Sequence, residues 1–154
     1  MTETPKQTVP VERLRHGDLG DDLSFLLARA NALSVSAANT ALAAFDLKVR
    51  SYSVLALVVG DERPSQRELA EFLRLDPSQV VALVDDLERR GLATRLPDES
   101  DRRAKVIVGT TAGRELFAVA RRATQRAELE VHSALSAKER ELLADTLRRI
   151  AYPR

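Results

Sequence analysis

The sequence predicts a mainly α-helical fold with one small β-hairpin. Apolar residues recur every three or four positions over most of the chain, which is the period of helices with one buried face. Helix starts divide this pattern into segments, since Ser-x-x-Glu capping boxes occur at 65–68 and 136–139. Two short runs typical of β-strands, 94–96 and 106–108, enclose the charged loop 98–105. A strand, a charged loop and a second strand indicate a hairpin.

Composition places the chain among ordinary water-soluble domains. Its 154 residues are 44% hydrophobic and 31% charged. No apolar run approaches the roughly 20 residues of a membrane span. The N-terminus lacks the basic and then apolar pattern of a signal peptide. We therefore expect a cytoplasmic protein without membrane contact.

The chain has no cysteine, which excludes disulfides, thiolate zinc sites, a catalytic thiol and thiol-based redox sensing. The two histidines, His16 and His132, are far apart in sequence, and we expect both to be solvated surface residues. No Ser-His-Asp set, metal-ligand cluster or phosphate-binding glycine loop is visible. The sequence therefore predicts a protein that is not an enzyme and that needs no metal or cofactor.

The first half begins with an expected flexible arm at residues 1–16, and residues 17–154 are expected to form a single domain. A long helix should cover residues 21–45, because its apolar positions step by three and four. Aspartates cluster at its start, where carboxylates interact favourably with the helix dipole. The next segment, 51–59, is almost wholly apolar and predicts a buried helix.

The middle of the chain predicts two short helices joined by a tight turn. The first follows the capping box at 65–68 and ends near Leu75. The second begins at Asp76-Pro77 and stops at Gly91. Its inner face is predicted to carry Val80, Leu83, Val84 and Leu87. Its outer face is predicted to carry Ser78, Ala82, Asp85 and Arg89. This pair is a helix-turn-helix, and with the hairpin it becomes a winged helix-turn-helix at 50–111.

After the hairpin, Thr110 is expected to cap a helix from 112 to about 134. The second capping box then starts a last helix, whose apolar residues are Leu142, Leu143, Leu147 and Ile150. The terminal helices, within 17–48 and 112–154, have more apolar positions than one small module needs. They are therefore predicted dimerisation helices, with packing inside a monomer as the alternative.

The wing carries a family resemblance. The run Asp98-Glu-Ser-Asp-Arg-Arg-Ala-Lys105, continued by Thr110-Thr-Ala-Gly-Arg114, resembles the wing signature of MarR-family transcriptional regulators. The segment 87–92 resembles the end of that family's recognition helix, and helix order agrees from about residue 20 to 150. Three departures are Glu99 in place of a common proline, Ala82 in place of a polar or basic side chain, and Gly109 in place of leucine. The last predicts a looser second strand.

The resemblance implies a homodimer with two winged modules that bind double-stranded DNA. Arg103 would enter the minor groove, and Asp101 would orient it by an ion pair. Arg102, Arg95 and Lys105 would bind phosphates and position the wing. The implied function is that of a sequence-specific regulator, expected to be a repressor, on a pseudo-palindromic operator.

The residue types suit base and phosphate contacts. The first turns of a recognition helix enter the major groove, and Ser78, Gln79 and Ala82 lie there. Gln79 can bond adenine and Ala82 can contact a thymine methyl group. We expect Asp85 to pair with Arg89 four residues later and to direct it to the DNA backbone. The start of the supporting helix offers a phosphate site or simple capping, through Ser65, Gln66 and Arg67.

The charge balance of the winged module is compatible with a second class of function. Residues 65–105 contain eight cations and nine carboxylates, so the module has no net positive charge. Together with Ala82, this balance favours the alternative of a winged-helix protein-interaction module without DNA binding.

The resemblance also implies a small organic effector, an aromatic or phenolic acid, between the dimer helices and the winged module. Arg50 offers a cation for its carboxylate and Tyr52 a ring for stacking. Asn31 and Asn39 are further candidates.

Overall fold

The structure, a computed structural model, describes residues 18–99, 101 and 104–153. The predicted arm 1–16 and His16 lie outside these residues. The described helices are α1 (Leu23–Leu42), α2 (Val49–Val58), α3 (Gln66–Leu73), α4 (Pro77–Arg89), α5 (Thr111–Val131) and α6 (Ala137–Ala151). The strands β1 (Ala93–Pro97) and β2 (Lys105–Gly109) form one antiparallel hairpin. The predicted mainly helical fold with a hairpin wing is confirmed.

The four capping residues predicted from the sequence cap helices in the structure. Ser65 and Ser136 each accept a hydrogen bond from the backbone N–H three residues later, within a complete capping box. Asp76 caps α4 by accepting from the backbone N–H two residues later, and Thr110 caps α5 by accepting from the backbone N–H three residues later. Gly91, directly after the C-cap of α4, has a φ of 69°, which glycine adopts without strain. Local side-chain chemistry therefore sets the limits of the central helices.

The long first helix is shorter than predicted. α1 ends at Leu42, and a 3₁₀ turn continues it to Phe45. Asp46 then takes a left-handed conformation with φ 51°, and the Leu47 N–H donates to the Leu42 carbonyl oxygen at 3.2 Å. These bonds close the helix end and turn the chain toward α2.

The core lies between α2, α3, α4 and the hairpin. Val80, Val84 and Leu87 of α4 are fully buried, as the predicted inner face requires. The remaining fully buried large side chains are Leu42, Val54, Leu55, Val58, Leu69 and Ile107. The wing contributes the buried Ile107 to this core, and the Ile107 N–H also donates to the Pro64 carbonyl oxygen at 2.8 Å.

Gly109 does not loosen the second strand. It is buried, and a Cβ atom placed on it would lie 2.7 Å from Cγ1 of Val59. The missing side chain therefore lets β2 approach the end of α2 more closely than another residue would allow.

The start of α5 is joined to the end of α4. The Thr110 hydroxyl donates to the Gly91 carbonyl oxygen at 2.7 Å, and the Thr110 N–H donates to that of Leu92 at 3.0 Å. A Cβ atom at Gly113 would lie 2.0 Å from the same Leu92 oxygen. Only glycine fits at that point of the junction without a shift of the backbone.

From this junction α5 runs along α1. Near its far end, Nε2 of His132 lies 3.1 Å from the Ser34 hydroxyl. The expectation that His132 is a solvated surface residue is wrong, because it is half-buried between α1 and α5.

Several large apolar side chains of the terminal helices are exposed. On α6, Leu142 is 68% exposed and Ile150 is 55% exposed. Other exposed leucines of the N-terminal and α5 regions are Leu19, Leu23, Leu26, Leu33 and Leu129. None of the described helices is both long and apolar enough to cross a lipid bilayer.

Candidate nucleic-acid interface

The outer face of α4 is exposed where the sequence predicts base contacts. Ser78, Gln79 and Ala82 are all exposed, in the first two turns after the cap. Asp76 accepts hydrogen bonds from the Ser78 hydroxyl and from the Ser78 N–H, and these bonds lower the pKa of its carboxyl group. The Ser78 hydroxyl is thus engaged in capping, whereas Gln79 and Ala82 are the more open positions.

The start of α3 lies beside the start of α4. A shallow cavity of about 450 Å³ is lined by Gln66 and Arg67 of α3 and by Pro77 and Val81 of α4. Ser65 is occupied by its capping box, in which its hydroxyl and N–H bond Glu68 and lower the pKa of that carboxyl. Arg67 is exposed and has no ion-pair partner among the described residues.

Arg95 lies between the wing and both helices of the module, not free toward solvent. Its side chain is 16% exposed, and its guanidinium pairs with Asp85 at 2.5 Å and with Glu88. Its Nε donates to Oε1 of Gln66 at 3.4 Å. The Arg95 backbone N–H bonds Glu88 at 3.0 Å, and this bond, with that of the side chain, lowers the pKa of Glu88. One arginine therefore forms ion pairs with both carboxylates.

This arrangement corrects one predicted pair. Asp85 does not pair with Arg89 at i+4, because Arg95 holds it. Arg89 pairs instead with Asp86, three residues earlier, and its side chain is 72% exposed. The change arises because β1 returns along α4 and brings Arg95 to Asp85, a contact that no helical period contains.

At the wing, Arg102 and Arg103 lie outside the described residues. Lys105 is exposed at the start of β2. The Asp101 N–H donates to Oδ1 of Asp98 at 3.2 Å. Glu99 forms an ion pair with Arg63, so this departure from the family pattern ties the hairpin to the loop before α3.

The predicted effector residues are divided between two cavities. A large open cavity of about 1170 Å³ lies between α1, the start of α2, and the helices α3 and α4. Asn31, Asn39 and Arg50 line it. Tyr52 instead lines a smaller cavity of about 410 Å³ between α1, α2 and α5.

Two of these residues also have structural bonds. Oδ1 of Asn39 accepts the Val49 N–H at 2.9 Å, so Asn39 caps α2 from the neighbouring helix. The ring of Tyr52 packs on Phe117 with centroids 5.5 Å apart, and the Thr124 hydroxyl lies 3.4 Å from its oxygen. Asn31 and Arg50 are exposed on the cavity wall.

Sequence reasoning missed Arg90. Its guanidinium donates to the carbonyl oxygens of Asp46 at 2.7 Å and of Phe45 at 3.0 Å, across 44 and 45 positions of sequence. No short-range pattern contains this bond. The charged position just before Gly91 was the available signal, and by itself it indicates only a helix end.

Comparison with known proteins supports the family assignment. A family model described as MarR family matches residues 45–104. A MarR-family transcriptional regulator from Rhodococcus sp. RHA1 is 41% identical, covering 88% of this chain and 96% of its own, with a TM-score of 0.84. CouR from Rhodococcus jostii RHA1, bound to p-coumaroyl-CoA, is 42% identical over the same shares with a TM-score of 0.80.

A further structure is that of the transcriptional repressor CouR on a 23-mer DNA duplex. It is 31% identical, with a TM-score of 0.80, and covers 88% of this chain and 96% of that one. The described residues contain no group of three or more side chains suited to a metal ion. The fold, the wing motif and these relatives agree, and the chain belongs to the MarR family of winged-helix transcriptional regulators.

Proposed function

We propose that this regulator is a homodimeric repressor that binds a pseudo-palindromic operator and is released by an aromatic effector. The observation that carries the DNA-binding part is the exposed first turns of α4, with Gln79 and Ala82, beside the start of α3 and the wing. A recognition helix placed in this way reads the major groove, and the wing reaches the adjacent groove. The repressor CouR, which shares the fold and is bound to DNA, supports it.

The dimer is supported by the uncovered apolar side chains of the terminal helices. Exposed large apolar side chains gathered on particular helices mark a site of protein–protein contact. A second copy is the occupant expected in this family, and two-fold symmetry would then require two half-sites in the operator.

A gel-shift titration on the DNA upstream of the protein's own gene tests DNA binding. We expect a specific complex whose affinity exceeds that for unrelated duplex DNA by at least about a thousandfold. The affinity should fall as salt rises, because phosphate contacts release counterions. Equal and weak binding to both duplexes would favour the protein-interaction module, which the balanced charge of the module also suits.

The wing arginine gives a second test. Arg103→Ala should weaken operator binding by about 1–3 kcal/mol and leave folding intact, if the side chain enters the minor groove. Asp101→Ala should have a smaller effect in the same direction. Arg126→Ala, which removes the same charge from the exposed surface of α5, is the matched control. Unchanged affinity of the Arg103 variant, measured by fluorescence anisotropy, would exclude the wing from DNA recognition.

The effector is proposed to be an aromatic acid or its coenzyme A thioester. The two cavities adjoin, because Val49 and Ser53 line both. The smaller cavity has the Tyr52 ring, supported by Phe117, where an aromatic group could stack. The larger one has the cations Lys48 and Arg50, which suit a carboxylate or the phosphates of coenzyme A. That CouR binds p-coumaroyl-CoA favours the thioester.

Pairs of compounds distinguish a free aromatic acid from its coenzyme A thioester as the effector. Benzoate, p-coumarate and their thioesters are added to the protein–DNA complex, and release is measured by anisotropy. Arg50→Ala should reduce the response to the active form at least tenfold, which corresponds to ~1.4 kcal/mol of differential binding, and should spare operator affinity. Release by a metal ion or an oxidant, with no response to either organic form, would contradict the proposal. Peroxide should have no effect, since the chain has no thiol.

A further inference from the structure

Arg90 joins the recognition helix to the end of α1. It is the C-cap residue of α4, and its side chain is 23% exposed. Its two terminal nitrogens donate to two successive carbonyl oxygens, those of Phe45 and Asp46. One of them also lies 3.5 Å from a carboxylate oxygen of Asp86 on its own helix. The planar guanidinium thus spans two elements that are far apart in sequence.

Arg90 binds carbonyl groups at the end of a helix, where no intrahelical N–H is available to them. The last carbonyls of a helix have no intrahelical donor, and they form the negative end of its dipole. Here α1 and its 3₁₀ turn finish at Asp46, whose left-handed conformation directs the chain away. Arg90 therefore acts as a cationic cap supplied by another helix.

The position of this cap lets it influence the orientation of α4. The segment 43–48 is the covalent connection between α1 and the winged module. The first turn of α4, where base contacts are proposed, lies at the other end of a 13-residue helix, about 20 Å away. A restraint on the near end of that helix therefore limits the directions in which the far end can point.

We propose that Arg90 is a positioning residue that fixes the separation of the two recognition helices in the dimer, and with it the operator spacing that the protein accepts. The inference rests on the proposed function, because spacing has meaning only for a dimer on two half-sites. Half-sites of such dimers lie about one DNA turn apart, ~34–36 Å, and one extra base pair shifts and rotates one site relative to the other. If the connection between α1 and the winged module is rigid, the dimer binds an operator of altered spacing weakly. If the connection is flexible, the dimer binds both spacings.

A purely structural cap makes a different prediction. If Arg90 only stabilised the fold, its loss would weaken binding to every operator by the same factor. The ratio of affinities between operators of different spacing would then stay constant. This ratio is the readout that isolates positioning.

The experiment uses the full chain and a duplex recovered by selection from random-sequence DNA. Derivatives of that duplex carry one or two base pairs inserted at, or deleted from, its centre. For Arg90→Ala we expect the affinity ratio between the selected and the altered spacing to fall by about fivefold or more, the lower range of energetic coupling between sites. Arg89→Ala is the matched control, because this neighbouring arginine is exposed and pairs only with Asp86 among the described residues. It should weaken binding to all spacings alike.

Each outcome decides the inference. An unchanged ratio in a folded, dimeric Arg90→Ala protein overturns it. If that variant does not fold, Arg90→Lys and Arg90→Gln, which cannot reach two carbonyls as a planar fork, are measured in the same way, and a ratio like that of the unchanged protein overturns it again. Failure of the unchanged protein to prefer any sequence would instead overturn the proposed function.

Discussion

Leu147→Glu should separate the protein into monomers or unfold it, and in either case abolish operator binding. Leu147 is 37% exposed and lies on α6 with Leu143 and Ile150, which are also exposed. In the proposed dimer these side chains face the second copy. A buried carboxylate without a partner costs several kcal/mol, and a two-fold interface contains the change twice.

Light scattering and thermal unfolding check this prediction. We expect a species near the 17.0 kDa of one chain, or a protein without a cooperative transition. Arg148→Glu places a glutamate at the next position of α6, about 100° round the helix, where Arg148 is 66% exposed and pairs with Asp145. Loss of that surface pair should cost only about 0–1 kcal/mol, so the control should stay dimeric. A Leu147→Glu protein that remains dimeric and binds DNA normally would refute the interface.

Arg95→Ala should weaken DNA binding by about 2–4 kcal/mol, because unpaired like charges at an interface cost several kcal/mol. Arg95 neutralises Asp85 and Glu88, and Asp85 lies on the proposed DNA face of α4. Without the arginine, the two carboxylates lose their cationic partner and repel the phosphates. The side-chain bonds from Arg95 to α3 and α4 are lost as well, whereas its backbone N–H bond to Glu88 is kept.

A triple variant separates this role from a direct phosphate contact. Adding Asp85→Asn and Glu88→Gln to Arg95→Ala removes the exposed charges, and a large part of the affinity should return. If Arg95 contacted a phosphate itself, the triple variant would bind as weakly as the single one. The slope of log affinity against log salt would then fall by about one in both.

The sequence predicted most of the local architecture, because caps, stops and buried faces depend on residues within one or two helical turns. Ser65, Asp76, Gly91 and Ser136 act as predicted for that reason. The pairing of Asp85 was predicted wrongly, since its partner comes from a strand that returns beside the helix.

The candidate effector residues show a different limit. Arg50 and Tyr52 are two positions apart on α2, and residues at that spacing point to different sides of a helix. Their division between two cavities thus follows from helical geometry, whereas the existence and volume of those cavities depend on how α1 crosses α2. The bonds of Arg90 could be found only from the tertiary structure. Their acceptors are backbone oxygens, which are the same for every residue type, so no sequence pattern marks them.

The junction between α4 and α5 couples the orientation of α5 to that of the winged module. Thr110 and Gly113 hold its first turn against Gly91 and Leu92, while its other end reaches His132 and Ser34. Its 21 residues span about 32 Å, so a tilt of about 10° about the junction displaces the far end by about 5 Å. A movement at the far end of α5 would likewise affect the winged module. A displacement of a few ångströms imposed near His132, which lines the smaller cavity, would turn the whole winged module through several degrees.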